Sequence, residues 1–207
     1  MEAYETVEKT PLYTLIPLED FKAVLGVDDR DDKLAKFCLV TSTLTIENYC
    51  KRKLLRKKHF ELIEYIGDLT LPLREYPVSE VLGVFQHGNS EIIEPDFYNV
   101  VPDCGIDIDL PFSIELSPAV ARLRCKTFKV IYWSGYSTNN QNNENEVPAD
   151  LAAACLELAS WNMSRYKGRR VGMTGNIKGA GVQGEHFEMS IPENVRILLE
   201  PYKRRVI

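Results

Sequence analysis

Val147-Pro148-Ala149-Asp150-Leu151-Ala152-Ala153-Ala154-Cys155-Leu156-Glu157-Leu158 opens a helix on its own chemistry. Proline in the first turn lacks an N–H that would find no partner there, and Asp150 suits the positive end of the helix dipole. Leu151, Cys155, Leu158 and Asn162 carry the helix to Tyr166, and Gly168 stops it. About twenty residues follow that are rich in glycine (Gly172, Gly175, Gly179, Gly181, Gly184) and nearly devoid of large apolar side chains. Ile191-Pro192-Glu193-Asn194-Val195 restarts a helix, and Pro201 ends it. Compact domains seldom keep so long an irregular stretch between two helices unless it binds something. The five glycines therefore mark a candidate neighbour-binding loop.

Outward from this stretch, the final helix is too short to stand without packing. Val195, Leu198, Leu199 and Tyr202 recur at helical steps, and Lys203-Arg204-Arg205 closes the segment with cations. The expectation is that these seven residues contact a neighbouring subunit or partner. Charge supports two different neighbours: residues 161–207 carry nine Lys/Arg against four Asp/Glu, leaving 16 cations against 26 acids elsewhere.

Towards the N-terminus, residues 1–16 read as a loosely tied arm, with Pro11 and Pro17 discouraging regular structure. A short helix from Pro17 ends at Gly26. Asp28-Asp29-Arg30-Asp31-Asp32 is expected to cap a longer helix, on which Leu34, Phe37, Cys38, Thr41, Leu44, Thr45 and Tyr49 recur at three- and four-residue steps. Phe37, Leu44, Tyr49, Leu151, Leu158 and Leu198 are the predicted helical core. From Leu54 the periodicity becomes two. His59–Tyr65, Leu69–Leu71, Val78–Phe85, Phe97–Val101, Ile106–Leu110 and Arg122–Trp133 read as short strands of an antiparallel meander. The tract Asn139-Asn140-Gln141-Asn142-Asn143-Glu144-Asn145 has nothing to bury and reads as a linker.

The predicted class is therefore α+β, with 1–207 forming a single domain. A small bundle of about four helices (about 17–53 and 147–207) carries an inserted antiparallel β-rich region (about 54–136), a polar linker (137–146) and the glycine-rich loop. At 44% hydrophobic residues the chain can bury a core,. No run of eighteen apolar residues suggests a membrane span, and the acidic N-terminus lacks a secretory apolar region. Five scattered cysteines without a CxxC pair, and three isolated histidines, point to reduced thiols and no metal site,.

Two motifs invite other chemistry. Gly179-Ala180-Gly181-Val182-Gln183-Gly184 matches a dinucleotide fingerprint literally, but neither a preceding strand nor a following helix surrounds it. Lys51-Arg52-Lys53-Leu54-Leu55-Arg56-Lys57-Lys58 holds six basic residues in eight. It could contact phosphates, or form a helix end followed by an edge strand whose lysines deter pairing. No Ser/His/Asp or Cys/His arrangement is present to support catalysis.

The order of features resembles the head–tail connector (adaptor, or head-completion) proteins of tailed double-stranded DNA bacteriophages and gene transfer agents. The resemblance rests on Leu18–Asp28 followed by Asp31-Asp32 and a helix ending Ile46-Glu47-Asn48-Tyr49-Cys50-Lys51-Arg52. Leu71-Pro72-Leu73-Arg74-Glu75-Tyr76-Pro77-Val78, Val130-Ile131-Tyr132-Trp133-Ser134-Gly135-Tyr136 and Val147–Leu151 continue it, up to Asn162-Met163-Ser164-Arg165. It covers roughly residues 17–170. The asparagine tract and glycine-rich segment are longer than the family pattern.

The resemblance implies a non-enzymatic virion protein at the head–tail interface, made in the bacterial host cytoplasm and needing no cofactor. It implies a ring of copies, commonly twelve, docked on the portal protein and receiving a stopper or tail-completion protein. DNA would pass through the centre without sequence recognition, and no membrane is involved. It places the portal contact in the C-terminal segment, hence at Val195, Leu198, Leu199, Tyr202, Lys203, Arg204 and Arg205. The alternative function is a DNA-binding module using Lys51–Lys58 and the basic tail.

Overall fold

The computed structural model describes residues 12–64, 69–87, 92–102, 111–121, 127–138, 145–168 and 191–204. The chain forms two compact units, Met1–Cys50 with Pro148–Ile207 and Lys51–Val147. The α+β class expected from the sequence is what the structure has.

The helical unit contains α1 (Leu18–Leu25), α2 (Asp32–Cys50), α4 (Ala149–Lys167) and α5 (Glu193–Leu199). Gly26 ends α1 in the left-handed conformation at φ 62°, so the Val27 N–H can reach the Lys22 carbonyl at 3.2 Å,. The aspartates after it do not cap α2 with their side chains as expected. Asp29 and Asp32 both accept from the Lys22 ammonium, the latter at 2.6 Å, and Asp31 pairs with Lys167. The hydrogen bond from Lys22 holds the Asp29 carboxyl below its usual range.

The apolar stripe read from α2 is not the buried one. Ala35, Cys38, Leu39, Ser42, Thr43, Ile46, Glu47 and Cys50 face inward, whereas Phe37 is 51% and Leu44 40% exposed. The inward face lies one residue on, about 100° round a 3.6-residue turn. Its polar members are buried because each finds a partner. Ser42 accepts from the Asn162 amide at 3.1 Å, Thr43 accepts the Leu15 N–H at 3.2 Å, and Glu47 accepts from the Tyr13 hydroxyl at 2.5 Å. Small residues there let α4 approach, with Leu151, Ala154, Cys155, Leu158 and Ala159 buried as expected for Leu151 and Leu158. Thr14, Leu15 and Ile16 are also buried, so the end of the N-terminal segment is packed rather than loose; residues 1–11 lie outside the described residues.

The β unit holds two sheets rather than one meander. Strands β1 (Lys57–Glu64), β7 (Thr127–Ser134), β3 (Val78–Gln86) and β4 (Ile92–Ile93) form one in that order, and β2 (Thr70–Pro72), β6 (Pro111–Leu116) and β5 (Tyr98–Pro102) the other. The strand pairings among the described residues are antiparallel, but the last strand sits between the first and third. β6 went unrecognised in the sequence because two prolines, Pro111 and Pro118, frame it. The short α3 (Pro118–Ala121) follows. Predicted strand 106–110 falls outside the described residues. Ile63, Leu71, Leu73, Val84, Ile114, Leu116, Phe128, Val130 and Tyr132 make one apolar core. Buried Tyr132 satisfies its hydroxyl by donating to Glu61 at 2.6 Å and accepting the Glu75 N–H at 3.2 Å.

Candidate functional site

Pro192 starts α5 with the extended backbone a helix entry requires, and the Arg196 N–H bonds the Pro192 carbonyl at 3.0 Å. Val195 and Leu199 are fully buried, and α5 packs on α4. Asn194 donates its amide to the Glu157 carboxylate. A 3-10 turn over Glu200–Tyr202 follows, burying Tyr202, whose hydroxyl donates to Asp150 at the start of α4. Lys203 pairs with Glu200 at 2.7 Å and lies 4.4 Å from the Tyr49 ring centre. The Arg204 N–H reaches the Cys50 carbonyl at 2.8 Å.

The seven C-terminal residues named from the sequence therefore separate. Val195, Leu199 and Tyr202 hold the segment onto its own helices, so their side chains offer no outer surface. Leu198, Lys203 and Arg204 are half-buried, and Arg205 lies outside the described residues. Ile197, 66% exposed, is the large apolar side chain that the sequence reading missed. It breaks the three- and four-residue rhythm of Val195, Leu198 and Leu199, which was the available signal. Gly172, Gly175, Gly179, Gly181 and Gly184 all lie outside the described residues, and the 179–184 motif with them.

The basic stretch Lys51–Lys58 does not form one phosphate-facing surface. Arg52 stacks on Tyr76 at 3.8 Å and donates to its carbonyl at 3.4 Å, while Arg56 sits 4.7 Å from the Trp133 ring centre. The Lys53 N–H bonds the Glu75 carboxylate at 3.0 Å. Lys57 and Lys58 point to opposite faces of β1, paired with inward Ser134 and outward Trp133. Guanidinium-on-ring contacts of this kind are structural.

Two apolar faces stand exposed among the described residues. On the outer side of the four-stranded sheet, Phe60 is 70% exposed beside Ile131, whose other neighbour is Gly83. A Cβ at Gly83 would lie 2.9 Å from the Phe85 ring and 3.5 Å from Ile92, so both side chains close over this glycine. Ile92 is itself 55% exposed. The row Phe60–Ile131–Gly83–Ile92 thus crosses all four strands. The second face is the outer ridge of α2, where Phe37 meets Tyr166 edge-to-face at 5.6 Å and Leu44 lies two turns on.

Among the described residues, no group of His, Cys, Asp and Glu is placed to hold a metal, and no helix is long and apolar enough to cross a membrane. Cys38, Cys50 and Cys155 are buried free thiols, and burial pushes Cys38 and Cys155 up to about 11. Such thiols are unreactive near neutral pH.

No protein-family model matches the sequence, and no curated protein matches it. Solved structures do share the fold, and they are neck and virion structures of gene transfer agent (GTA) particles. A chain of the neck of an empty GTA particle, computed with C6 symmetry, superposes with a TM-score of 0.61 at 16% identity, covering 97% of this chain and 95% of that one. A chain of the neck of the native particle, computed with C12 symmetry, gives 0.55 at 16% identity with the same coverage. A chain of the native GTA virion gives 0.54 at 18% identity, again over 97% and 95%. The likeness spans nearly the whole chain and agrees with the resemblance carried by the sequence motifs.

Proposed function

We propose that this chain is a structural, non-enzymatic neck protein of a tailed-phage-like particle, assembling as a ring that joins the portal to the tail or stopper and lets DNA pass through its centre. The observation that carries the reading is the near-complete fold match to chains of particle necks computed with C6 and C12 symmetry. In this reading the two compact units together make one connector subunit. The portal contact falls on the outer side of the C-terminal segment, at Ile197, Leu198, Lys203, Arg204 and Arg205, with Val195, Leu199 and Tyr202 fixing its position. The glycine-rich segment reaches a neighbour. A twelve-membered ring in the virion, after synthesis in the host cytoplasm, completes the picture.

Electron microscopy of the purified protein, alone and mixed with its portal, tests this. Rings with an open centre on the portal are expected, with monomers or weak association in dilute solution. A tight two-fold dimer at every concentration, without portal binding, would contradict it. The rival reading, a DNA-binding module using Lys51–Lys58, is weakened by the engagement of Arg52 and Arg56 with Tyr76 and Trp133. A salt-titrated gel shift separates the two, since phosphate-driven binding at physiological salt belongs to the rival alone.

A further inference from the structure

Leaving Phe60 and Ile92 exposed in one row across a sheet costs solubility unless the row is covered in the working state, and contiguous apolar patches of this kind mark interaction surfaces. The outer ridge of α2 poses the same question. It is set by Phe37 and Leu44, and Tyr166 supports it from the side. A sheet face and an apolar helix ridge are surfaces that pack as adjacent layers inside domains. We propose that the outer face of the four-stranded sheet, centred on Phe60, receives the α2 ridge of a second copy of this chain.

This rests on the ring reading above, and symmetry explains why one chain should carry both faces. A two-fold interface joins a patch to itself, whereas a rotational ring joins two different patches and needs both on every subunit. Charge does not decide the pairing, since the outward side of the sheet bears Lys58 and Lys129 as well as Glu64 and Glu80, so the apolar row carries the contact. The apolar stripe that sequence periodicity assigns to the core of α2 thereby has a use: the helix has two faces, one for its own bundle and one for its neighbour.

The test places the photo-crosslinker p-benzoylphenylalanine at position 60 of the full-length chain, followed by assembly on portal-bearing capsids and irradiation. Crosslinks between copies, mapped by mass spectrometry to residues 33–48, are the expected result. Phe60→Asp and Leu44→Asp should each weaken ring assembly by roughly thirtyfold, the scale of a lost hot spot. Melting of the dilute protein should stay unchanged, since both positions are exposed. Should one of these variants fold poorly, the crosslink alone decides the question. If rings form but position 60 crosslinks elsewhere, to another sheet face, or not at all, the proposed contact is wrong while the ring reading survives. Rings that assemble normally from Phe60→Asp overturn it equally. If the unmodified protein forms no ring, alone or on the portal, both readings fall together.

Discussion

The backbone N–H of Arg204 bonds the carbonyl of Cys50 at 2.8 Å, tying the C-terminal segment to the end of α2. The last four carbonyls of a helix lack partners within it, so this bond satisfies one that would otherwise need solvent or a cap. The segment read from the sequence as a contact surface is thus also fastened to the helical unit.

Removing residues 201–207 would therefore disturb folding as well as binding, and a milder change is needed to separate the two. Tyr202→Phe deletes only the hydroxyl donated to Asp150. Urea unfolding should show a loss of about 1.5–3 kcal/mol, the range for a hydrogen bond to a charged group. Lys203→Glu loses the Glu200 pair and the Tyr49 contact, so it should lower stability modestly while leaving the chain folded, and it should weaken portal binding,. Undiminished binding by that variant would count against Lys203 as a portal contact.

The two faces of α2 should respond differently to truncation. Leu39→Ala and Leu158→Ala remove fully or almost fully buried side chains and should each cost about 2–5 kcal/mol,. Leu44→Ala, at an exposed site, should cost about 0.5 kcal/mol or less in the monomer. Equal losses at Leu39 and Leu44 would mean that the inward face has been misplaced.

Gly135 follows β7 at φ 103°, a conformation L-residues with side chains rarely adopt,. Its N–H reaches the Pro77 carbonyl at 2.9 Å, and a Cβ would stand 2.6 Å from the Leu55 carbonyl carbon and oxygen. Gly135→Ala should cost about 1–3 kcal/mol from the backbone conformation, with the steric clash adding to it. Thermal unfolding of the purified variant checks this, and an unchanged transition would rule it out.

His59 is stacked on Tyr132 at 5.7 Å in the β unit. Burial is the main cause holding its pKa below the usual histidine value, with Lys57 acting the same way and Glu75 opposing. The unfolded chain therefore binds a proton more readily than the folded one. The resulting stability is present above the ordinary histidine range, near 6.5, and is lost as pH falls through the folded value. Melting between pH 8 and pH 5 should decline more steeply for the native chain than for His59→Gln. Parallel declines would show that His59 does not contribute.

Much of the helical framework is legible locally. Pro17, Gly26, Pro148, Pro192 and Pro201 bound α1, α4 and α5 through φ restriction, a missing N–H or, at Gly26, left-handed backbone, all properties of single residues, while Gly168 follows α4 with right-handed backbone,. The alternation in β1, β3 and β7 follows likewise from the two-residue repeat of a strand. Gly135 was visible as part of a motif, though its necessity appears only once Leu55 is seen against it.

What the sequence by itself determined is therefore where the main helices and most strands occur, β6 excepted, and that the class is α+β. Tertiary structure alone decided which faces meet. On α2, two stripes one residue apart both satisfy helical periodicity. The inward one won because Tyr13, Leu15 and Asn162 supply hydrogen bonds to Glu47, Thr43 and Ser42, partners up to 120 positions away in the chain. β7 likewise inserted between β1 and β3 because backbone pairing depends on register and buried area, not on order along the chain,. The exposed rows on the sheet and on α2 belong to the same category: a single chain shows that Phe37 and Phe60 are apolar, and only the packed structure leaves them outside.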